Sequence, residues 1–272
     1  MKFILPLLSV TLLCAVPYGK DTGAADSAPE MSQDTVYRKI ENNAWTFGEN
    51  LEYRVHYGLI NAGKITLKVE NGLRELQQRK AYHVNAEGFS VSGFDWIFKV
   101  RDHFETFIDD KAIVPLQFQK RMEEGDYKDT DFAIFSHAKK KVFAKKGTVE
   151  VPANVQDVVS AIYYARTLDV KNAKPGQVFP IQVYLDGEVF MLGIKYLGRE
   201  TINTDVGSIR AIKIQPMVVA DRVFSDKDGL MLWVSDDENK VPLRVEAELL
   251  VGSLKVDLIK HSGLKHPINK AG

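Results

Sequence analysis

Where the body of the chain begins, apolar and polar residues alternate: Leu51, Tyr53, Val55 and Tyr57 are separated by Glu52, Arg54 and His56. A period of two puts one set on a buried face and the other in water, so the segment reads as a β-strand. Ile65, Leu67 and Val69 repeat the pattern, and Asn61, Ala62 and Gly63 read as the hairpin turn between the two runs. Five more strands are predicted over 82–89, 99–108, 116–121, 131–135 and 141–144. After a break, Ile181, Val183 and Leu185 run into Asp186 and Gly187 and continue through Val189 and Met191. An Asp-Gly pair between alternating runs predicts a two-residue type I′ hairpin, since both turn positions need positive φ and Gly187 takes it without strain. Strands over 209–214, 230–234, 243–250 and 253–259, with a polar turn at 236–239, bring the count to about 13.

One segment between these blocks has a different period. Val155, Val158, Val159 and Ile162 fall at i, i+3, i+4 and i+7, one face of a helix over 154–168 with Asn154 as its cap. Gln156 and Thr167 are expected in water. Arg166 follows Ile162 on the same face, so its guanidinium needs a carboxylate or strand-end carbonyls as partner. With no crossover helices, the strands should pair antiparallel. So many twisted strands curl. The predicted fold is mainly β: a large antiparallel curved sheet or barrel with one central helix in its concavity, the alternative being a β-sandwich.

Composition narrows the function. Among 272 residues, 36 Lys and Arg balance 36 Asp and Glu, which excludes a surface built to attract nucleic acid. Hydrophobic residues at 45% exclude a disordered chain. Lys2 followed by an apolar run over 3–16 is the pattern of a secretory signal peptide, and it is shorter than the roughly 20 residues of a membrane span. The sole cysteine, Cys14, follows Leu13, a larger residue than a lipidated cysteine usually follows, so the exported chain is expected to be unacylated and held by its core alone. The expected organisation is a signal peptide over 1–19, a flexible leader over 20–44, a single β domain over 45–260 and a flexible tail over 261–272. The expected location is the periplasm or cell envelope of a Gram-negative bacterium, with no transmembrane span once the signal is removed.

Three stretches, in order, resemble the DUF3108 family of exported bacterial proteins: Phe47-Gly48-Glu49-Asn50-Leu51-Glu52-Tyr53 running on to Tyr57-Gly58 and Ala62-Gly63; Asp157 through Arg166; and Leu232-Trp233-Val234-Ser235-Asp236-Asp237 followed by Lys240-Val241-Pro242-Leu243. The resemblance implies an envelope location and a mainly β architecture, and carries no activity. In outline, a curved sheet with one helix is also similar to the LolA/LolB lipoprotein carriers.

Chemistry-bearing motifs are sparse. His56, His83 and His103 fall on the polar phase of their strands and read as solvent-facing, without zinc-ligand spacing. Asp236, Asp237, Glu238 and Asn239 read as a solvated turn rather than a calcium loop. Lys139, Lys140, Lys141, Lys145 and Lys146 could meet anionic headgroups, but edge protection against aggregation is the simpler reading. Ser160 stands near Asp157 with no histidine close in sequence, and no nucleophile elbow or phosphate loop is present. No enzyme activity, cofactor or metal is expected. Phe89, Phe94, Trp96 and Phe98, clustered with Gly88 and Gly93, could line a site for an apolar ligand together with Tyr164 on the helix, or simply cap the core. Gly187, Asp157, Ile162 and Arg166 are assigned structural roles. The expected function is a non-catalytic envelope protein that binds a lipid, an acyl chain or another apolar ligand in the concavity of the sheet. The alternative is a structural or assembly protein with a filled core, meeting envelope partners through surface loops.

Overall fold

A computed structural model describes residues 37–220, 223–224, 229–248 and 252–271. The expected signal peptide and the first part of the expected leader lie outside the described residues. The first block holds β1 (Asn50–Tyr57), β2 (Ile60–Val69), β3 (Arg74–Leu76), β4 (Arg79–Ser90), a one-turn helix α1 (Ser92–Asp95), β5 (Arg101–Asp109), β6 (Pro115–Glu124), β7 (Tyr127–Ser136), β8 (Lys141–Ala144) and β9 (Gly147–Glu150). After α2 (Val158–Ala165) come β10 (Val178–Leu185), β11 (Glu188–Thr204), β12 (Gly207–Ala220), β13 (Val223–Phe224), β14 (Leu230–Ser235), β15 (Pro242–Glu248) and β16 (Ser253–Ser262).

The strands form one antiparallel sheet of 16, in the order β10-β11-β12-β14-β15-β16-β1-β2-β4-β5-β6-β7-β8-β9, with β13 on β12 and β3 on β4. This is the expected large curved sheet and not a sandwich. The strands beyond the expected number are β3, β9 and β13, of 3, 4 and 2 residues, too short to display alternation. The sheet wraps round without closing, leaving β9 and β10 as its edges. The β10 edge is covered, since Gln156 N donates to Gln182 O (2.8 Å) and Tyr184 N to Gln156 O (2.7 Å). The Asp186–Gly187 turn is the expected tight one: Leu185 pairs with Glu188, and the two turn residues have φ of 54° and 96°. The first hairpin turns earlier than expected, at Gly58 and Leu59, because Gly58 takes positive φ there while Ala62 and Gly63 stay in β2.

The helix is shorter than the apolar spacing predicts. Asp157, not Asn154, caps it: its carboxylate accepts from Val159 N and Ser160 N (2.8 Å each), and Ser160 Oγ accepts from Asp157 N. Asn154 instead has φ of 62°, which turns Val155 and Gln156 along β10. Gln156 is therefore fully buried rather than in water, and its amide donates to Ile113 O (3.0 Å). The inward helix face is Val159, Tyr163 and Arg166, so Ile162 is only half-buried.

That face fills one end of the concavity. Trp45 is wholly buried, its ring edge-on to Tyr82 and Tyr163 at 4.5 and 4.9 Å, its indole N–H donating to Tyr163 O. Arg166 finds the expected partners: Glu49 receives both terminal nitrogens at 2.6 and 2.7 Å, and Asn239 O and Ala44 O accept as well. Burial opposes the guanidinium charge, but Glu49 outweighs it and raises the Arg166 pKa. Both terminal segments expected to be flexible are docked at this end where they are described. Arg38 donates to Ala112 O and Ile113 O, and Ile40 N to Lys111 O. In the tail, Asn239 donates to His266 O, and Lys270 bridges Ile209. Polarity misled here, since a few apolar side chains in each segment, Ile40 and Ala44 in one and Leu264 and Ile268 in the other, pack on the core while hydrogen bonds to backbone carbonyls tie the polar residues around them.

Candidate functional site

Alternate turns of the meander reach opposite ends of the sheet. One end is closed by α2, the segment before β1 and the C-terminal tail. The other carries the β1–β2 turn, the α1 loop, the β6–β7 turn and the Asp186–Gly187 turn. The aromatic segment singled out from the sequence lies at this open end.

Its backbone is held firmly. Val91 N donates to Ala62 O and Phe94 N to Val91 O, folding one turn of helix across the start of β2. Asp95 is gripped by Arg101 (2.7 Å) and by the hydroxyl of Ser90, which in turn accepts from Val100 N. Arg101 and Ser90 lower the Asp95 pKa by hydrogen bonding to its charged form. Phe98 lies against Gly125, where a Cβ would stand 2.9 Å from the ring. Phe89 and Phe94 are half-buried. Trp96, by contrast, is 81% exposed, and Ile97 57%. Tyr164 is not with them. It sits on α2 near the closed end, with Arg38 lying 4.1 Å over its ring. The five residues expected to line one apolar site therefore do not converge.

Below α1, two carboxyls face inward. Asp102 and Glu124 are almost fully buried, flank the Val100–Glu124 bridge, and leave Asp102 Oδ2 and Glu124 Oε1 without a partner among the described residues. Burial first, then repulsion by Asp102, pushes Glu124 up to about 7; burial also raises Asp102. Next to them Lys120 points inward and pairs with Asp129 (2.8 Å) and Asp186 (2.5 Å), strapping the β10–β11 turn to β6 and β7. Sequence reasoning missed these groups and Glu49. The available signal was phase: Glu49 is in step with Leu51 and Tyr53, Asp102 with Phe104, and Lys120 and Glu124 with Phe118 and Met122.

On the outer wall, an open groove of about 570 Å³ is lined by residues including His103, Glu105, Gln119, Arg121, Phe132 and Lys145. His83 and His103 approach Glu105 at 3.4 and 3.5 Å, and His83 stacks on Phe107. Among the described residues no group of three or more His, Cys, Asp or Glu could hold a metal ion. The Ser160 hydroxyl caps its own helix, accepting from Asp157 N and donating to Asp157 O.

The architecture is thus that of a barrel-like, unclosed β-sheet plugged by one helix. The chain belongs to the DUF3108 family, a protein family of unknown function whose model matches residues 52–259. No curated protein matches it. Among solved structures it is similar to the β-barrel-like protein of domain of unknown function DUF1849 from Brucella abortus, at 11% identity and a TM-score of 0.54 over 81% of this chain and 99% of that one. A candidate lipoprotein from Parabacteroides distasonis (11% identity, TM-score 0.38, 83% and 100% covered) is a more distant likeness. So is a candidate exported protein with a YmcC-like fold from Bacteroides fragilis (10%, 0.36, 83% and 100%). The fold likeness rests on the first alone. No helix among the described residues is long and apolar enough to cross a membrane.

Proposed function

We propose that this is a non-catalytic cell-envelope protein whose filled β scaffold acts through the loops at its open end. The observation that supports it most is the packing of the concave side. Trp45, Leu51, Ile108, Phe135, Tyr163 and Leu258 are all less than 2% exposed and occupy the space that an enclosed acyl chain would need. Export is supported by Lys2 and the apolar run after it. A lipid carried in the concavity is the competing reading. Titration with an anthroyloxy-labelled fatty acid separates the two. The scaffold reading expects no saturable uptake. Saturable uptake that Tyr163→Ala alters would sink it.

A further inference from the structure

We propose that Asp102 and Glu124 hold one proton between them, and that this proton latches the α1 loop to the β6–β7 turn: the two are locked while it is bound and part once it leaves. That the latch governs function, through the loops it orders, rests on the scaffold reading above. The two side chains point inward from neighbouring strand ends, 3% and 9% exposed. Asp102 Oδ1 accepts from Glu123 N (3.2 Å). Asp102 Oδ2 and Glu124 Oε1 meet no donor among the described residues, and the side-chain hydrogen bond open to these carboxyls is with each other. Two carboxylates cannot make that bond, since both only accept. A single shared proton supplies the donor and removes one of two buried like charges.

The charged groups around the pair are engaged elsewhere. On β6, Lys120 is held by Asp129 of β7 (2.8 Å) and Asp186 of the β10–β11 turn (2.5 Å). Arg101 of β5 is bound to Asp95 of α1 (2.7 Å), and Lys99 and Lys128 lie on Glu123 (3.0 and 3.6 Å). On β4, the Ser90 hydroxyl donates to Asp95 and accepts from Val100 N. His103 faces the outer wall, towards Glu105. The position of the pair gives its proton leverage. The β5–β6 ladder runs as far as His103 and Arg121 and resumes as the Val100–Glu124 bridge. Between them the Asp102 side chain, not a main-chain carbonyl, receives Glu123 N. Just beyond, Gly125 N donates to Lys99 O (2.8 Å) and Phe98 lies against Gly125, joining loop to turn. When the proton passes to solvent, a pair with one negative charge becomes two carboxylates, and their repulsion acts across this short stretch in a poorly screened site.

Amide hydrogen exchange tests the latch on the full chain. The reporters are the Val100, Glu123 and Gly125 amides, each hydrogen-bonded across the latched region. Their exchange is taken relative to amides of the β11–β12 hairpin in the same sample, which cancels the intrinsic rise of exchange with pH. With Glu124 held up at about 7, the ratio should rise about tenfold between pH 6 and pH 8. Glu124→Gln replaces the proton by an amide that donates permanently, so the ratio should stay level over that range; Asp102→Asn should flatten it for the same reason. Difference infrared spectroscopy at pH 6 reads the proton itself. The carbonyl stretch of a protonated carboxyl should be present and should lose intensity in Glu124→Gln, the remainder belonging to Asp157, which burial raises to about 6. A wild-type ratio that stays level from pH 6 to pH 8 overturns the proposal whether or not the variants fold. A Glu124→Gln protein that keeps the wild-type slope, or an infrared band that it leaves intact, overturns it as well. None of these results bears on the fatty-acid titration, so the scaffold reading stands or falls separately.

Discussion

Trp45 and Trp96 sit at opposite ends of one curved sheet and have opposite surroundings. Trp45 is wholly buried, wedged between Tyr82 and Tyr163 beside the Arg166–Glu49 pair; Trp96 is 81% exposed on a loop whose backbone is nonetheless pinned by Asp95, Ser90 and Arg101. The closed end spends its aromatics and its ion pair on itself. The open end keeps its backbone fixed and leaves its apolar side chains free, an arrangement that contributes little to folding. The difference teaches that burial, not residue type, separates the two roles.

Substitutions can break this contrast. The largest effect is expected at the closed end. Glu49→Ala leaves the Arg166 guanidinium buried and unpaired, and should cost about 3–5 kcal/mol in urea unfolding. Glu49→Leu with Arg166→Met should recover most of that, because no charge is then stranded. Trp45→Ala should cost about 3–5 kcal/mol, whereas Trp96→Ala should stay within about 0.5 kcal/mol. Comparable losses at both tryptophans would erase the distinction between the ends. Gly187→Val, in a turn with φ of 96°, should cost about 1 kcal/mol or more.

A pH dependence is expected at the open end. Glu124 is held up at about 7 against an ordinary value of 4.5, so the folded state binds more protons than the unfolded state between those values. Its contribution to stability is fully present below about 4.5 and is lost as pH rises through about 7. Glu124→Gln should flatten that decline. His137 works in the opposite sense, since burial pushes its imidazole down to about 4 from 6.5 and stability falls on acidification through that window. The wild-type minus variant difference in midpoint, measured across pH, isolates Glu124. A difference that does not change with pH would mean the Asp102–Glu124 pair is not buried as described.

Much of the fold was legible because alternation is a local signal. The inward phase of β1, the antiparallel sheet, the Asp186–Gly187 turn and a partnered Arg166 all follow from spacing. Reading failed where backbone groups rather than side-chain polarity decide the outcome. Asn154 looks like a cap, yet its left-handed φ hands that role to Asp157 and buries Gln156 along the β10 edge. Segments at 37–44 and 264–271 look too polar to dock, yet Ile40, Ala44, Leu264 and Ile268 pack on the core and hydrogen bonds to carbonyls hold the rest. The proposed ligand set failed for a topological reason: Tyr164 and Trp96 belong to opposite ends, which no local pattern records. The inward charges Glu49, Asp102, Lys120 and Glu124 were visible as breaks in apolar phase, and such breaks are the more useful signal in a chain poor in motifs.

The central claim is that the concavity is filled by the protein's own side chains. Native mass spectrometry of the protein purified from its own envelope tests it most directly. The account predicts the mass of the bare mature chain at activation energies too gentle to strip a bound lipid. A co-purifying acyl chain or lipid would contradict it.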